Sequence, residues 1–402
     1  MASGTPFTLK WGIMATGWIA ETFTKDLLND PATRDVHDVR HEIVAVASSS
    51  SKDRCVDFLK KINGPSSAKT YGSYAELVAD PNVDIVYVAT PHSHHFQNCM
   101  LALEAGKHIL CEKAFTVNAA QARKLVETAK AKNLFLMEAV WTRYFPLSIK
   151  VRELISSGEI GTVFRTIADL SLDRSAEDDK TVTFADSHRM VNKDLAGGAT
   201  LDLGIYALTW VFQTLYHVQP EAEKEAPKVA AVANLYANTG VDESVTILCQ
   251  FPEHRSIGIA TAAMRVATDP EGKNAIPAAR IQGSRGEIQV MYPTFQPVQI
   301  KVIKKSAGSA DDAPADDVRI LDFPVPKDPK RDNWGHGMFW EADECARCLR
   351  DGKVESSTLP WKESIVIMET MEEALRQGGV EYPELITTSV YDAKSPLNVG
   401  NQ

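Results

Sequence analysis

Gly12-Ile-Met-Ala-Thr-Gly-Trp-Ile-Ala20 is the stretch that settles how this chain begins to fold. An apolar run, Leu9–Met14, leads into it as a strand, and Ile19–Leu28 leaves it with helical spacing. A strand that runs into a helix through Ala15-Thr16-Gly17-Trp18-Ile19-Ala20 is a variant of the dinucleotide fingerprint G-x-G-x-x-G/A. Gly17 lets backbone approach a pyrophosphate, Ala20 keeps the helix close to the strand, and the helix start offers N–H groups. Thr16, Gly17, Trp18 and Ile19 are the expected cofactor contacts at this turn. Ala15 stands where the first glycine belongs, so the turn alone fits a ligand-free βα corner about as well.

Further strands are predicted at Glu42–Ser48, Asp84–Thr90, His108–Glu112 and Leu134–Glu138, with a short one at Lys69–Tyr71. Helical segments Lys52–Ile62, Tyr74–Ala79, His95–Ala105 and Ala119–Lys132 lie between them, with Ser73 and Asn118 as caps. Alternation of this kind predicts an α/β domain over residues 1–141, a doubly wound parallel sheet with helices on both faces. Such sheets take ligands at the carboxyl ends of their strands. The ends Ser48-Ser49-Ser50, Thr90-Pro91-His92, Glu112-Lys113 and Glu138-Ala139 therefore share a rim with the glycine turn. Lysine is rarely buried without a partner, and one leaving an apolar strand at this rim, Lys113, faces the ligand crevice.

The second strand ends in Ser48-Ser-Ser-Ser-Lys-Asp-Arg54. An NAD site usually places an acidic residue here for the ribose hydroxyl. Four hydroxyls before two cations can instead donate to a 2′-phosphate, which predicts NADP with Ser48, Ser49, Ser50 and Arg54 as contacts. Ser51 also reads as a helix cap. The spacing from Gly17 exceeds the usual ~20 residues, and the polar insert Asn29–His41 is read as a surface loop that accounts for it.

At 402 residues the chain is too long for one ordinary core, so two domains are expected, 1–141 and 142–402. A net charge of -10 argues against nucleic acid or an anionic membrane as partner. No targeting or bilayer-spanning pattern is read, and six scattered cysteines fit a reduced, cytoplasmic setting. Cys345 and Cys348 form a lone C-x-x-C, read as two neighbours on a helix face. His92-Ser-His94-His95 invites a zinc reading, but no second ligand cluster stands out, and no metal is expected.

With the turn, Thr90-Pro-His-Ser-His-His95 and Glu112-Lys113 in place, the chain resembles the Gfo/Idh/MocA oxidoreductase family over nearly its whole length. Gly197-Gly-Ala-Thr-Leu-Asp-Leu-Gly-Ile-Tyr206 is similar to the family segment G-G-G-x-L-x-D-x-G-x-H/Y. The terminal tyrosine, Trp141-Thr-Arg-Tyr-Phe-Pro146 and Gly335-His-Gly-Met-Phe-Trp-Glu341 resemble its branch of dimeric dihydrodiol dehydrogenases and NADP-dependent D-xylose 1-dehydrogenases. The resemblance implies a Rossmann domain followed by an α/β domain on a large, mostly antiparallel open sheet, with homodimers formed through that sheet. It implies Lys113 and Tyr206 as catalytic residues, with Asp202 as an acid one turn earlier. Thr90, Pro91, His92, His95, Glu112, Lys113, Trp141 and Arg143 fall on the cofactor side, and Trp141, Arg143, Tyr144 and Arg189 are the candidates for the sugar rim. The implied reaction is oxidation of D-xylose at C1 to xylonolactone. A dihydrodiol or another aldose as substrate, or a non-catalytic dinucleotide-binding regulator, are the alternatives. Ala114, where most members have proline, bears on the backbone beside the nicotinamide.

From residue 142 the alternation stops, and strands are read at Thr162–Ser171, Val229–Tyr236, Ser244–Phe251, Ser256–Met264, Ala279–Gln282, Ile288–Tyr292, Val298–Ile303 and Val318–Phe323. Acidic stretches Asp173–Lys180, Glu221–Glu225 and Ala310–Asp317 read as solvated loops, and helices return at Phe339–Arg350 and Lys362–Gln377, near the domain junction. Leu201–Leu215 reads as one regular helix with Asp202, Tyr206 and Thr209 on a single face turned towards a cleft. Oxidising an alcohol requires a base for its proton while hydride leaves carbon. Free tyrosine and lysine titrate near pH ~10, and nearby positive charge draws a phenol towards working pH. Tyr206 is the expected proton acceptor, with Lys113 orienting the hydroxyl; the reverse allocation stays open.

Overall fold

The computed structural model describes residues 5–305, 315 and 317–399. It divides into two compact units, Met1–Trp141 with Val325–Ile365 and Glu384–Gln402, and Thr142–Pro324 with Val366–Pro383.

The first unit alternates β1 (Phe7–Met14), α1 (Trp18–Leu27), β2 (Val39–Ala47), α2 (Lys52–Lys61), β3 (Lys69–Tyr71), α3 (Tyr74–Ala79), β4 (Ile85–Val88), α4 (His92–Glu104), β5 (His108–Glu112), α5 (Ala119–Lys132) and β6 (Leu136–Ala139). All six strands run parallel in the order β3-β2-β1-β4-β5-β6, the Rossmann arrangement. The reason lies in the strands: every residue of β4 and β6 is buried, as a sheet covered on both faces requires. Ser51, Ser73 and Asn118 each accept a backbone N–H from Asp53, Glu76 and Gln121 and so cap α2, α3 and α5. Gly12 admits the close approach of the segment before β4, since a Cβ there would meet Val83 Cγ1 at 2.9 Å.

The second unit holds α6 (Pro146–Ser156), β7 (Val163–Asp169), a π-helical segment (Thr200–Gly204) that runs into α7 (Ile205–Leu215), and seven further strands. These are β8 (Lys228–Leu235), β9 (Asp242–Phe251), β10 (Ser256–Ala263), β11 (Pro277–Gly283), β12 (Gly286–Met291), β13 (Gln299–Lys304) and β14 (Asp317–Asp322). They form one sheet with β7, ordered β14-β13-β12-β11-β7-β10-β9-β8 and antiparallel except where β7 meets β10. Helix α7 covers one face: Thr214 Oγ1 lies 2.8 Å from Thr166 Oγ1, and a Cβ on Gly258 would stand 2.2 Å from Val211 Cγ1. The apolar stretch Lys193–Leu215 could span a membrane by length, but 94% of its most apolar window is buried, as in a core helix. Most of the acidic stretch Ala310–Asp317 lies outside the described residues.

Two long helices follow, α8 (Phe339–Arg350) and α9 (Trp361–Gly378), and then two short ones, α10 (Glu384–Thr387) and α11 (Pro396–Val399). Residues 142–402 were expected to form one domain, yet Val325–Ile365 and Glu384–Gln402 lie with the first unit. Asp26 of α1 supplies a physical reason, because its carboxylate accepts N–H groups from His336, Gly337, Met338 and Phe339 at 2.7 to 3.3 Å. The insert Asn29–His41 also departs from a plain surface loop. Arg34 and His41 are buried in it, and both bond Asp343 of α8 at 2.8 and 2.9 Å. Trp11 Nε1 donates to His41 Nδ1 at 3.1 Å, which leaves Nε2 to carry the proton towards Asp343. A partner three hundred residues away leaves no trace in the local pattern.

Candidate active site

At the glycine turn Ala15 takes φ 86°, the left-handed region that glycine favours, so the backbone keeps the fingerprint's shape despite the alanine. Gly17 caps α1 and accepts the Glu21 N–H at 3.0 Å, and a Cβ on it would meet nothing within 4 Å. The space beside the Gly17 Cα is thus open. Trp18, next in the chain, is 68% exposed. At the end of β2 the Ser48 and Ser50 hydroxyls lie 3.2 Å apart, and Arg54 is exposed on the first turn of α2. The β4 end offers Thr90, whose buried Oγ1 has no hydrogen-bond partner.

The β4 and β5 ends are tied together. Tyr87 donates its hydroxyl to Glu112 Oε1, and the Lys113 N–H donates to Glu112 Oε2 at 3.2 Å. His95 lies with one ring nitrogen 2.9 Å from the Ala114 carbonyl and the other 2.9 Å from that of Thr90. Burial drives its pKa down, while the two carbonyls that it faces act in the opposite direction. The peptide bond from Lys113 to Ala114 is cis. One residue further, Phe115 N–H donates to Glu138 Oε1 at 3.0 Å, and Ser364 donates to the other oxygen at 2.7 Å. Lys113 is therefore delivered, half-buried, from a backbone held on both sides. His92, His94 and His95 all fall in the first turn of α4, which begins three residues earlier than expected because Pro91 caps it. Burial and the neighbouring His95 lower the His94 pKa to about 4. Among the described residues no group of three or more His, Cys, Asp or Glu is placed to hold a metal ion.

In the second unit the expected regular helix is replaced at its start. Thr200–Gly204 is π-helical, a widened turn of the kind often found at functional positions, and it carries Asp202. Asp242 sets it: the carboxylate accepts both the Thr200 N–H at 2.6 Å and the Thr200 hydroxyl at 2.7 Å. Gly198, at φ 129°, makes room, since a Cβ there would fall 2.1 Å from Asp242 Oδ1. Arg189 donates to Asp202 Oδ1 at 2.9 Å, with Asp202 buried and Arg189 half-exposed. Tyr206 follows on α7, its ring 5.8 Å from that of Phe295. Thr209, three residues further on α7, donates its hydroxyl to the Ile205 carbonyl at 2.8 Å and is 1% exposed. Arg143 and Tyr144 are buried, at 0% and 4% exposure.

Sequence reading missed the company around Trp141. His336 stacks on the Trp141 ring at 4.9 Å and 15°, with Trp334 on it at 6.2 Å and 23°. The signal was present in Gly335-His-Gly337, a break before α8 that nothing in the first domain requires.

The open Gly17 turn, the orphaned Thr90 hydroxyl and a β2 end bearing serines and a cation, without a carboxylate at Ser48–Ser50, fit a dinucleotide with a 2′-phosphate. Comparison with known proteins agrees. Residues 9–140 match the family described as "Oxidoreductase family, NAD-binding Rossmann fold", and 148–289 match the GFO/IDH/MocA C-terminal domain. The chain is 73% identical over 402 residues, all of both chains, to a D-xylose 1-dehydrogenase (NADP(+)) of Hypocrea jecorina. It is 36% identical to the trans-1,2-dihydrobenzene-1,2-diol dehydrogenase of Homo sapiens, over 94% of this chain and 98% of that one. A solved levoglucosan dehydrogenase in complex with NADH and levoglucosan shares the fold, with TM-score 0.71 and 18% identity over 92% of this chain and 98% of the other.

Proposed function

Because this chain belongs to the Gfo/Idh/MocA oxidoreductase family, we infer that it is an NADP-dependent D-xylose 1-dehydrogenase, an oxidoreductase acting on a CH–OH group. The observation that carries the substrate is the 73% identity along the full length of a D-xylose enzyme, against 36% to a dihydrodiol enzyme. NADP, when bound, supplies the acceptor for the hydride that leaves C1 of the sugar. The residues of the chain bind and handle the proton. Gly17 and the first turn of α1 receive the diphosphate, and Ser48, Ser49, Ser50 and Arg54 receive the 2′-phosphate. Thr16, Ile19, Thr90, Pro91, His92, Glu112, Trp141 and Arg143 complete the cofactor side in this reading.

Tyr206 exchanges the C1 hydroxyl proton, and Lys113 orients that hydroxyl. Asp202, oriented by Arg189, accepts from neighbouring sugar hydroxyls, with Tyr144 beside them. The product is D-xylonolactone. Steady-state assay of the purified protein with NADP and NAD, against pentoses, hexoses and a dihydrodiol, tests the reading. The expected result is the highest kcat/KM for D-xylose with NADP; a higher value for the dihydrodiol overturns it.

The uncovered face of the eight-stranded sheet supports a homodimer. Val232, Leu248, Ile257 and Ile320 point from it at 71, 42, 45 and 60% exposure, an apolar set suited to a second copy of the same face. All six cysteines are unpaired and buried, which supports a reducing, cytoplasmic setting.

A further inference from the structure

The segment before α8 runs back along α1 as far as the last turn of that helix, and the His336 ring reaches on to Trp18 at its start. Asp30 N–H donates to Asp328 at 2.9 Å, Asn29 donates to the Trp334 carbonyl at 3.0 Å, and Asp26 gathers the four N–H groups of 336–339. Each contact lies nearer the start of α1 than the one before. The strap thus fixes the His336 N–H on Asp26, in the last turn of α1, and its ring extends from there to the Trp18 ring. Its ring sits flat between Trp141 and Trp334 and meets Trp18 edge-on at 6.4 Å and 86°. Lys25 of α1 holds the outer tryptophan, its ammonium 4.7 Å from the centre of the Trp334 ring.

Two features set this assembly apart from ordinary core packing. Trp18 is 68% exposed, the largest apolar side chain at the place where a diphosphate is received. His336 is a neutral imidazole, its pKa lowered to about 4 by burial and by the charge of Lys327. A neutral ring presents one N–H donor and one acceptor nitrogen, which is the equipment for a hydrogen bond to a phosphate or ribose oxygen.

We propose that His336 is a cofactor-positioning residue that, together with Trp18, forms the wall against which the diphosphate and nicotinamide ribose of NADP are held. This rests on the NADP-dependent reading of the site given above. It assigns binding work to a strap some three hundred residues from the fingerprint, where motif reading does not look.

The experiment is titration of the full chain with NADP, followed by tryptophan fluorescence and by calorimetry, with no substrate present. Trp18, Trp141 and Trp334 surround the site, so the wild type shows saturable quenching, and energy transfer when NADPH is the probe. His336→Phe keeps the stack and removes the hydrogen bond; it should raise the NADP Kd about tenfold, the equivalent of one hydrogen bond to a charged group. KM for NADP should rise with it, while kcat at saturating cofactor changes far less. His336→Gln, which retains a donor, should recover part of the loss. Trp18→Ala, at an exposed position that cannot disturb the core, should weaken NADP binding and lower the energy transfer. Unchanged Kd in both His336→Phe and Trp18→Ala, with melting curves like the wild type, overturns the proposal and leaves the function intact. Absence of NADP binding by the wild type overturns both.

Discussion

Asp80, at the end of α3, and Asp242, at the start of β9, are buried aspartates in different units, and their environments push them in opposite directions. Burial works to raise Asp80, but the Asn82 N–H, the Tyr71 hydroxyl and Lys69 outweigh it and hold its pKa at about 2. At Asp242 burial wins, and the pKa stands at about 6 although Thr200 donates to it twice. The first carboxylate closes a regular helix with partners mostly within eleven residues of it. The second reaches forty-two residues back to hold open an irregular turn. One unit is regular strand-and-helix alternation; the other carries a deformed helix start at Thr200–Gly204.

The largest effect that separates the two units is catalytic. Lys113→Ala removes the group carried by the regular unit, and kcat should fall by about 10² to 10⁴. NADP affinity by fluorescence titration should stay within a fewfold, because the phosphate turn is elsewhere; a parallel collapse of binding would break the division. Next comes Asp242→Ala, which leaves the buried Thr200 N–H and hydroxyl without their acceptor and should cost about 1–3 kcal/mol in denaturant unfolding. Activity should drop beyond what stability explains, since Asp202 and Tyr206 lie in and just after that turn. Full activity would show that the π segment does not need its anchor.

The pH slopes sharpen the comparison further. Asp80 folds with a pKa below its ordinary 3.8, so its contribution is complete above that value and lost as pH falls towards about 2. Asp242 folds with a pKa above it, so its contribution is complete below 3.8 and lost as pH rises through about 6. The stability deficit of Asp80→Asn should therefore narrow on acidification, and that of Asp242→Asn should widen. Urea melts across pH check both signs. The smallest effect belongs to the turn itself: Ala15→Gly relieves a left-handed alanine and should stabilise by up to about 1 kcal/mol, less the entropy glycine loses on folding.

These contrasts also explain what could be read from sequence. The parallel unit was legible because strand, turn and cap are local: Ser73 and Asn118 cap helices three residues on, and β4 is apolar at every position. The eight strands of the second sheet were legible for the same reason. What escaped depends on distant partners. Asp343 buries Arg34 and His41, Asp26 draws in residues 336–339, and Asp242 converts the start of a helix to π geometry. Lys113, Asp202 and Tyr206 could be proposed from the family resemblance; the hydrogen bonds that surround Asp202 and the Lys113 backbone could not be read.

The account stands or falls on the phenol of Tyr206. The direct test is the pH dependence of kcat/KM for D-xylose and NADP in Tyr206→Phe beside the wild type. Loss of about 10² or more in turnover, with the wild-type ionisation on the acid-side limb gone, is the result expected of a proton-accepting tyrosine. Near-normal turnover with an unchanged pH profile would contradict it and transfer the base to Lys113.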